Sequence, residues 1–329
     1  MNTHINTTLS FNRREFLKLG SNLMLSAITP SLSGCQPSTP LTIASHVWPG
    51  YEFMFLAKQM NQIYCQDFTL IESKSATDSL QKLADGQVMG AALTLDETLR
   101  GIYQGLPLSV VMIFDVSSGA DAVIAKAPIN SLENLKGARL GVETSALGAL
   151  MLIKLLAAAQ LNHADVNIVA VNVDGHYDAW RSNRIDALIS YEPVTSVLEN
   201  EGAIRLFDSK AIPNTIFDVL AVRSDVLGQY SNSLKCLIKA HFQAQWAWKS
   251  NPIDTNYRLA KLMQLDVQQV PGLFQHLELP DLIYNKHLLS QPAHDLHLVA
   301  KELLQLMEIP TELLSTDLFL ANYLPETLL

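Results

Sequence analysis

The chain has 329 residues, 48% of them hydrophobic and 17% charged, with a net charge of −9. That is long enough for a large core and two lobes. The acidic balance, with no basic cluster beyond the extreme N-terminus, argues against nucleic acid as a partner.

The N-terminal segment NRREFLKLG (12–20) pairs Arg13 with Arg14 and is followed by a modestly apolar stretch ending at Cys35. A positive region, a short apolar region and small residues before a cysteine read as an export signal. It is too short and too polar to span a bilayer. It resembles a twin-arginine signal, and Leu32-Ser33-Gly34-Cys35 resembles a bacterial lipobox. The expectation is that residues 1–34 are removed, that Cys35 carries a lipid, and that 35–40 form a tether. Losing Arg13, Arg14, Lys18 and Glu15 takes the net charge to −11. Of the two cysteines left, Cys65 and Cys236, a disulfide is possible, but folding before export favours two buried free thiols. No cysteine–histidine cluster suggests zinc.

In chain order, LTIASHVW (41–48) reads as a buried strand and PGYEFMFLAKQMNQ (49–62) as a turn and helix. CQDFTLIES is a strand, ATDSLQKLADG a helix closed by Gly86, VMGAALTL a strand, DETLRGIYQG a helix and LSVVMIFDV a strand. This alternation predicts an α/β fold with mostly parallel sheets covered on both faces. The rhythm breaks at 117–137, where DAVIAK reads as a crossing to a second lobe. There the grammar repeats through ARLGVE, ALGALMLIKLLAAAQL, VNIVAVNV, HYDAWRSNR, IDALISYE, PVTSVLENEG and AIRLFDS. Residues 215–227 return to the first lobe, and a helical region punctuated by prolines follows from 230. The expected lobes are 41–121 with 219–329, and 122–218. The crossings near 121–125 and 216–222 are expected to flex.

In open α/β sheets, ligands sit beyond the carboxyl ends of the strands. His46, Trp48, Gly50 and Tyr51 follow the first strand; Thr94, Asp96 and Glu97 the third; Asp115, Ser117, Ser118 and Asp121 the fourth. In the second lobe stand Glu143, Thr144 and Ser145, then Asp174, His176 and Tyr177, then Tyr191 and Glu192; the return crossing carries Asp218. Ser145 suits the N-cap of the helix starting near Ala146, with Gly148 keeping the turn slim, and free amides there suit a polar or anionic group. The alternative is that Ser145 only caps its helix, and that Asp96, Glu97 and Asp178 do likewise. The strand ends are rich in carboxylates and almost free of Lys and Arg, which favours a ligand with a cationic nitrogen.

The stretches WPGYEFMFLA, NLKGARLGVETSALG, RIDALISYEPV and GAIRLFDSKAIPNTIFDVLAVRSDVL resemble the solute-binding proteins of the nitrate, sulfonate, taurine and thiamine-pyrimidine class, the SsuA/THI5-like or NMT1-like group. The resemblance runs from about Leu41 to Leu227. It implies a two-lobed type II periplasmic-binding fold, closure on a small molecule and delivery to an ABC permease and its ATPase. It maps ligand contacts to Trp48, Tyr51, Thr94, Ser117, Ser118, Ser145 and its neighbours, Tyr177 and Glu192. Glu143, Thr144 and Asp218 join these from the strand-end reading. The scarcity of cationic side chains disfavours a bare anion and favours a zwitterion or an amine-bearing heteroaromatic.

The expected function is therefore capture, by an exported, lipid-anchored monomer on the periplasmic side of a bacterial membrane. The alternatives are an anion binder of the same group or a sensor subunit for a membrane signalling protein. No GxGxxG, P-loop, HExxH or GxSxG pattern is present, so no enzyme and no cofactor are expected. His294 and His297, with His287 nearby, could hold a metal but read as an ordinary helix face.

Overall fold

A computed structural model describes residues 39–60, 68–145, 147–290 and 295–328. The export signal, Cys35, most of the tether, Cys65 and His294 lie outside the described residues. The first sheet has six strands in the order β11-β4-β10-β3-β1-β2. They are β1 (Leu41–Ser45), β2 (Phe68–Glu72), β3 (Gly90–Thr94), β4 (Leu108–Ser117), β10 (Phe217–Arg223) and β11 (Leu277–Glu278). The second has five in the order β7-β6-β8-β5-β9. They are β5 (Asp121–Ala125), β6 (Arg139–Val142), β7 (Asn167–Ala170), β8 (Ala187–Tyr191) and β9 (Ile204–Asp208).

Each sheet is the centre of a lobe. The helices of the first are α1 (Glu52–Gln59), α2 (Ala76–Ala84) and α3 (Leu95–Tyr103); those of the second are α4 (Leu147–Ala159), α5 (His176–Arg181) and α6 (Val194–Asn200). The C-terminal helices α7 (Ser231–Ser250), α8 (Pro252–Met263), α9 (Val270–Phe274), α10 (Leu282–Ser290) and α11 (Asp295–Leu306) follow. Ser75 accepts from the Asp78 amide at the start of α2, and Thr94 and Glu97 form a capping box on α3. These polar residues at strand–helix junctions satisfy amides that the helix cannot.

The sheets are mixed rather than parallel. β1 runs parallel to β2 and β3, but β10 is antiparallel to β3 and β4. Likewise β6 is parallel to β7 and β8, while β5 is antiparallel to β8 and β9. The reason is the path of the chain. β5 and β10 each arrive from the other lobe, at the end where the parallel strands finish, so they must run backwards. DAVIAK is accordingly not a crossing but the fully buried strand β5 of the second sheet. The crossings are the short pieces 118–120 and 209–216, laced together. Ser117 N donates to Ile216 O at 3.0 Å, Ser117 Oγ meets Ser209 Oγ at 2.7 Å, and Gly119 N donates to Ser209 Oγ at 2.5 Å.

The outer edge of β4 is covered in three pieces. β11 pairs with Val116 and Ser117. Leu318 O accepts from Val110 N, and Leu320 N donates back to Val110 O. Between them the buried Asn285 of α10 stands in for a strand: Oδ1 accepts from Ile113 N at 2.8 Å and Nδ2 donates to Ile113 O at 3.0 Å. An open strand edge is thereby denied to other chains. Cys236 of α7 is disulfide-bonded, against the expectation of two free thiols. His297 packs its ring on Phe319, and His287 stacks on Tyr284. Among the described residues no helix is long and apolar enough to cross a membrane, and no metal-binding cluster of His, Cys, Asp and Glu forms.

Removing Asn285 strands two buried backbone groups. Asn285→Ala is expected to cost about 2–4 kcal/mol, read as a lowered urea midpoint with an unchanged slope.

Candidate functional site

Register decides what meets between the lobes. Asp218, near the start of β10, lies opposite Thr94 at the end of β3 and Asp115 near the end of β4. Asp121, the first residue of β5, lies opposite Tyr191, the last of β8. The two backward strands thus deliver one carboxylate from each lobe to the cleft. Two small cavities of about 10 Å³ each, room for about one water, share Glu97, Asp121, Leu147 and Tyr191. One adds His46, Trp48, Tyr51, Thr94 and Asp218; the other adds Glu143, His176 and Ser190.

The aromatic residues among these form a wall. Trp48 meets Tyr191 edge-on at 5.7 Å between ring centres, and His46 meets Tyr51 at 5.3 Å and Tyr191 at 5.9 Å. Trp48 Nε1 donates to both oxygens of Asp115, at 3.0 and 3.3 Å, and Tyr51 donates its hydroxyl to Asp218. Gly50 makes this possible, because a Cβ there would lie 1.8 Å from Asp115 Oδ2.

Across the cleft, Glu97 of the first lobe accepts from Leu147 N at the start of α4, at 3.0 Å. Its other oxygen accepts from Thr94 N within its own capping box, at 2.8 Å. Thr77 of α2 donates to Glu143 at 2.5 Å and lies 2.8 Å from Ser145 Oγ. The small polar residues before α4 thus face the other lobe. Gly148 is needed there, since a Cβ would meet Glu143 O at 2.5 Å.

Glu97, Asp115, Asp121, Glu143 and Asp218 are all buried, and no Lys or Arg lines either cavity. Burial disfavours the charged form of each. It pushes Glu97 and Asp115 up to about 8 and Asp121 to about 7, against the pull of their hydrogen bonds. Glu143 is raised by burial, and Asp218 well above its usual range by burial and then by Asp115 and Asp121. Desolvation alone lowers His46 to about 4, so its ring is neutral.

The structure brings Trp48, Tyr51, Thr94, Glu143 and Asp218 to the cavities; Thr144 and Ser145 are exposed and line neither, and Ser145 sits beside Thr77 of the first lobe. Ser117 and Ser118 lie in the lacing of the crossings, where Ser118 N donates to His276 O. Tyr177 lies under the Arg181 guanidinium on the outer side of α5, and its neighbour His176 lines a cavity instead. Glu192 likewise turns away from the cleft. It accepts from Ser196 N and Oγ and lies 3.7 Å from Arg205, while the preceding Tyr191 faces the cleft. Glu192 lies one residue beyond β8, in the turn that leads into α6. His46, Glu97, Asp115, Asp121 and Tyr191 complete the site; each stands at a strand end in the sequence, the signal that could have selected it.

A family model described as NMT1/THI5 like matches residues 67–254, more than half of the chain. The taurine-binding periplasmic protein of Escherichia coli (strain K12) is 24% identical over 208 residues, 60% of this chain. That match spans 65% of the relative, less than two thirds of its length. Two solved structures share the fold. The alkanesulfonate-binding protein SsuA from Xanthomonas axonopodis pv. citri, bound to MOPS, superposes with a TM-score of 0.67 at 16% identity, covering 85% of this chain and 96% of that one. The desulfurization enzyme DSZB gives 0.61 at 16%, covering 88% and 97%. The fold therefore houses both binding and catalysis.

The raised carboxyls fix a pH dependence. From about pH 4 to 6.5, unfolded histidines hold protons that the buried His46, His176 and His241 (about 4, 4 and 3) do not, so this term favours folding as pH rises. The raised carboxyls act in the opposite sense. The native chain holds protons on Glu97, Asp115 and Asp121 that the unfolded chain has lost, so stability falls as pH rises through 7 and 8. Glu52, buried beside the charge of Glu72 and raised to about 8, adds to the fall. The thermal midpoint is expected to drop between pH 6.5 and 8.5. Asp121→Asn is expected to flatten that slope and to gain at least about 1 kcal/mol at the upper end.

Proposed function

The chain belongs to the NMT1/THI5-like family, and from that premise we propose that it is an exported solute-binding protein that captures a small molecule bearing a cationic nitrogen. The lobes close on the ligand and present it to the permease and ATPase of an ABC importer. It acts as a monomer on the periplasmic side of the membrane, exported by the twin-arginine route and held by a lipid on Cys35.

One observation carries the ligand class: four buried carboxylates, Glu97, Asp121, Glu143 and Asp218, line cavities that no Lys or Arg lines. A carboxylate without a counter-charge is costly to bury, and an incoming cation removes that cost. Binding contacts that exist only when the lobes meet are what drive closure. The residues in contact with the ligand are Trp48, Tyr51, Thr94, Glu97, Asp121, Tyr191 and Asp218. Glu143 and Ser145 close the rim, and the crossings at 118–120 and 209–216 bend.

A sulfonate is the second reading, favoured by the ligands in the names of the taurine- and alkanesulfonate-binding relatives. It needs free amides at the start of α4, and Leu147 N is already engaged by Glu97. Taurine carries both groups and tests the two readings together.

Thermal shift with amines, zwitterions including taurine, sulfonates and nitrate is expected to respond to amine-bearing compounds. A response to sulfonate or nitrate alone contradicts the cationic reading. Asp218→Asn is expected to weaken an amine ligand by about 1.4 kcal/mol or more, tenfold in affinity, whereas Glu192→Gln leaves affinity unchanged by calorimetry. Cys35→Ser is expected to move the exported protein from the membrane to the soluble fraction; retention in the membrane contradicts the anchor.

A further inference from the structure

Four buried polar atoms without a protein hydrogen-bond partner belong to residues lining one cavity. They are Nδ1 of His46, the hydroxyl of Tyr191, and Oδ2 of Asp121 and of Asp218. Each lobe supplies two: His46 and Asp218 follow or begin strands of the first sheet, and Asp121 and Tyr191 lie opposite each other in the second. The two carboxylates are 2% and 3% exposed. Other oxygens nearby are engaged. Asp115 takes the Trp48 indole, Glu97 takes two backbone amides, and Asp218 Oδ1 takes the Tyr51 hydroxyl.

We propose that the ligand presents a planar amidinium or guanidinium head, whose N–H groups bridge Asp121 of one lobe to Asp218 of the other. This deepens, and rests on, the cationic reading of the cleft. The cation takes the place of the protons that burial keeps on these carboxyls; once ionised, both only accept, so the head must donate. A quaternary ammonium has no N–H and leaves all four atoms unmet, although aromatic rings attract it. A primary ammonium brings three N–H groups; an amidinium brings four, in one plane, matching the number of unpartnered atoms. The rings of His46, Trp48, Tyr51 and Tyr191, packed edge-on or tilted with centres 5.3–6.3 Å apart, line the cavity, and aromatic rings attract a delocalised planar cation. Paired N–H groups also match the two oxygens of a carboxylate. Asp218 lies opposite Asp115, whose charge disfavours its ionised form, and the bound cation offsets that repulsion.

The test is calorimetry on the purified full chain with the chloride salts of acetamidine, methylguanidine, methylammonium and tetramethylammonium, and with sodium methanesulfonate. The two planar ions are expected to bind at least about tenfold tighter than methylammonium, with no binding of tetramethylammonium. Asp121→Asn and Asp218→Asn are each expected to weaken acetamidine at least about tenfold, and Glu192→Gln to leave it unchanged. If methylammonium or tetramethylammonium matches the planar ions, the planar head is refuted while the cationic reading stands. If methanesulfonate alone binds, both are refuted. If none of the five binds the wild type, the bridge between Asp121 and Asp218 is refuted, whatever the variants do.

Discussion

The structure turns on carboxylates buried around cavities that no lysine or arginine lines. Removing charge from water is among the most expensive things a fold does, and proteins answer by pairing the charge or protonating it. Around this cleft no lysine or arginine lines the cavities, so protons and hydrogen bonds carry the load. Trp48 serves Asp115, Tyr51 serves Asp218, and two backbone amides serve Glu97. The cluster is held together by packing that would otherwise look arbitrary. Gly50 is small because the Asp115 carboxylate occupies the place of its side chain.

The same constraint ties topology to chemistry. β5 and β10 enter their sheets backwards because the chain crosses between lobes twice. Their opening residues therefore fall at the carboxyl ends of the neighbouring strands, where Asp121 meets Tyr191 and Asp218 meets Thr94 and Asp115. The bonds across the cleft, Glu97 to Leu147 and Thr77 to Glu143, use the same carboxylates. The contacts that join the lobes and those that assemble the carboxylate cluster are therefore the same.

Much of this was legible in the sequence. The strand–helix alternation gave the two lobes, and the strand-end rule pointed at Trp48, Tyr51, Thr94, Glu143 and Asp218. What escaped was orientation. Tyr177 and Glu192 sit beside His176 and Tyr191, and which of two neighbours faces the cleft depends on where each element begins to turn. DAVIAK reads as a crossing because a five-residue apolar run fits either role; its place in the second sheet is set by long-range pairing with β8 and β9. The start of α4 looked like a ligand's anion site by local chemistry alone. That Glu97, fifty residues earlier in the chain, reaches its amide is a tertiary fact with no local signature.

The most direct test of the account is a pH titration of the side-chain carboxyl carbons by carbon-13 NMR on the ligand-free protein. Glu97, Asp115 and Asp121 are expected to titrate near 7 to 8, far above ordinary surface carboxyls, and to lose those late transitions when a cationic ligand is bound. If every aspartate and glutamate of the cleft titrates in the ordinary range near 4, the carboxylates are not held without counter-charge, and the case for a cationic ligand falls with them.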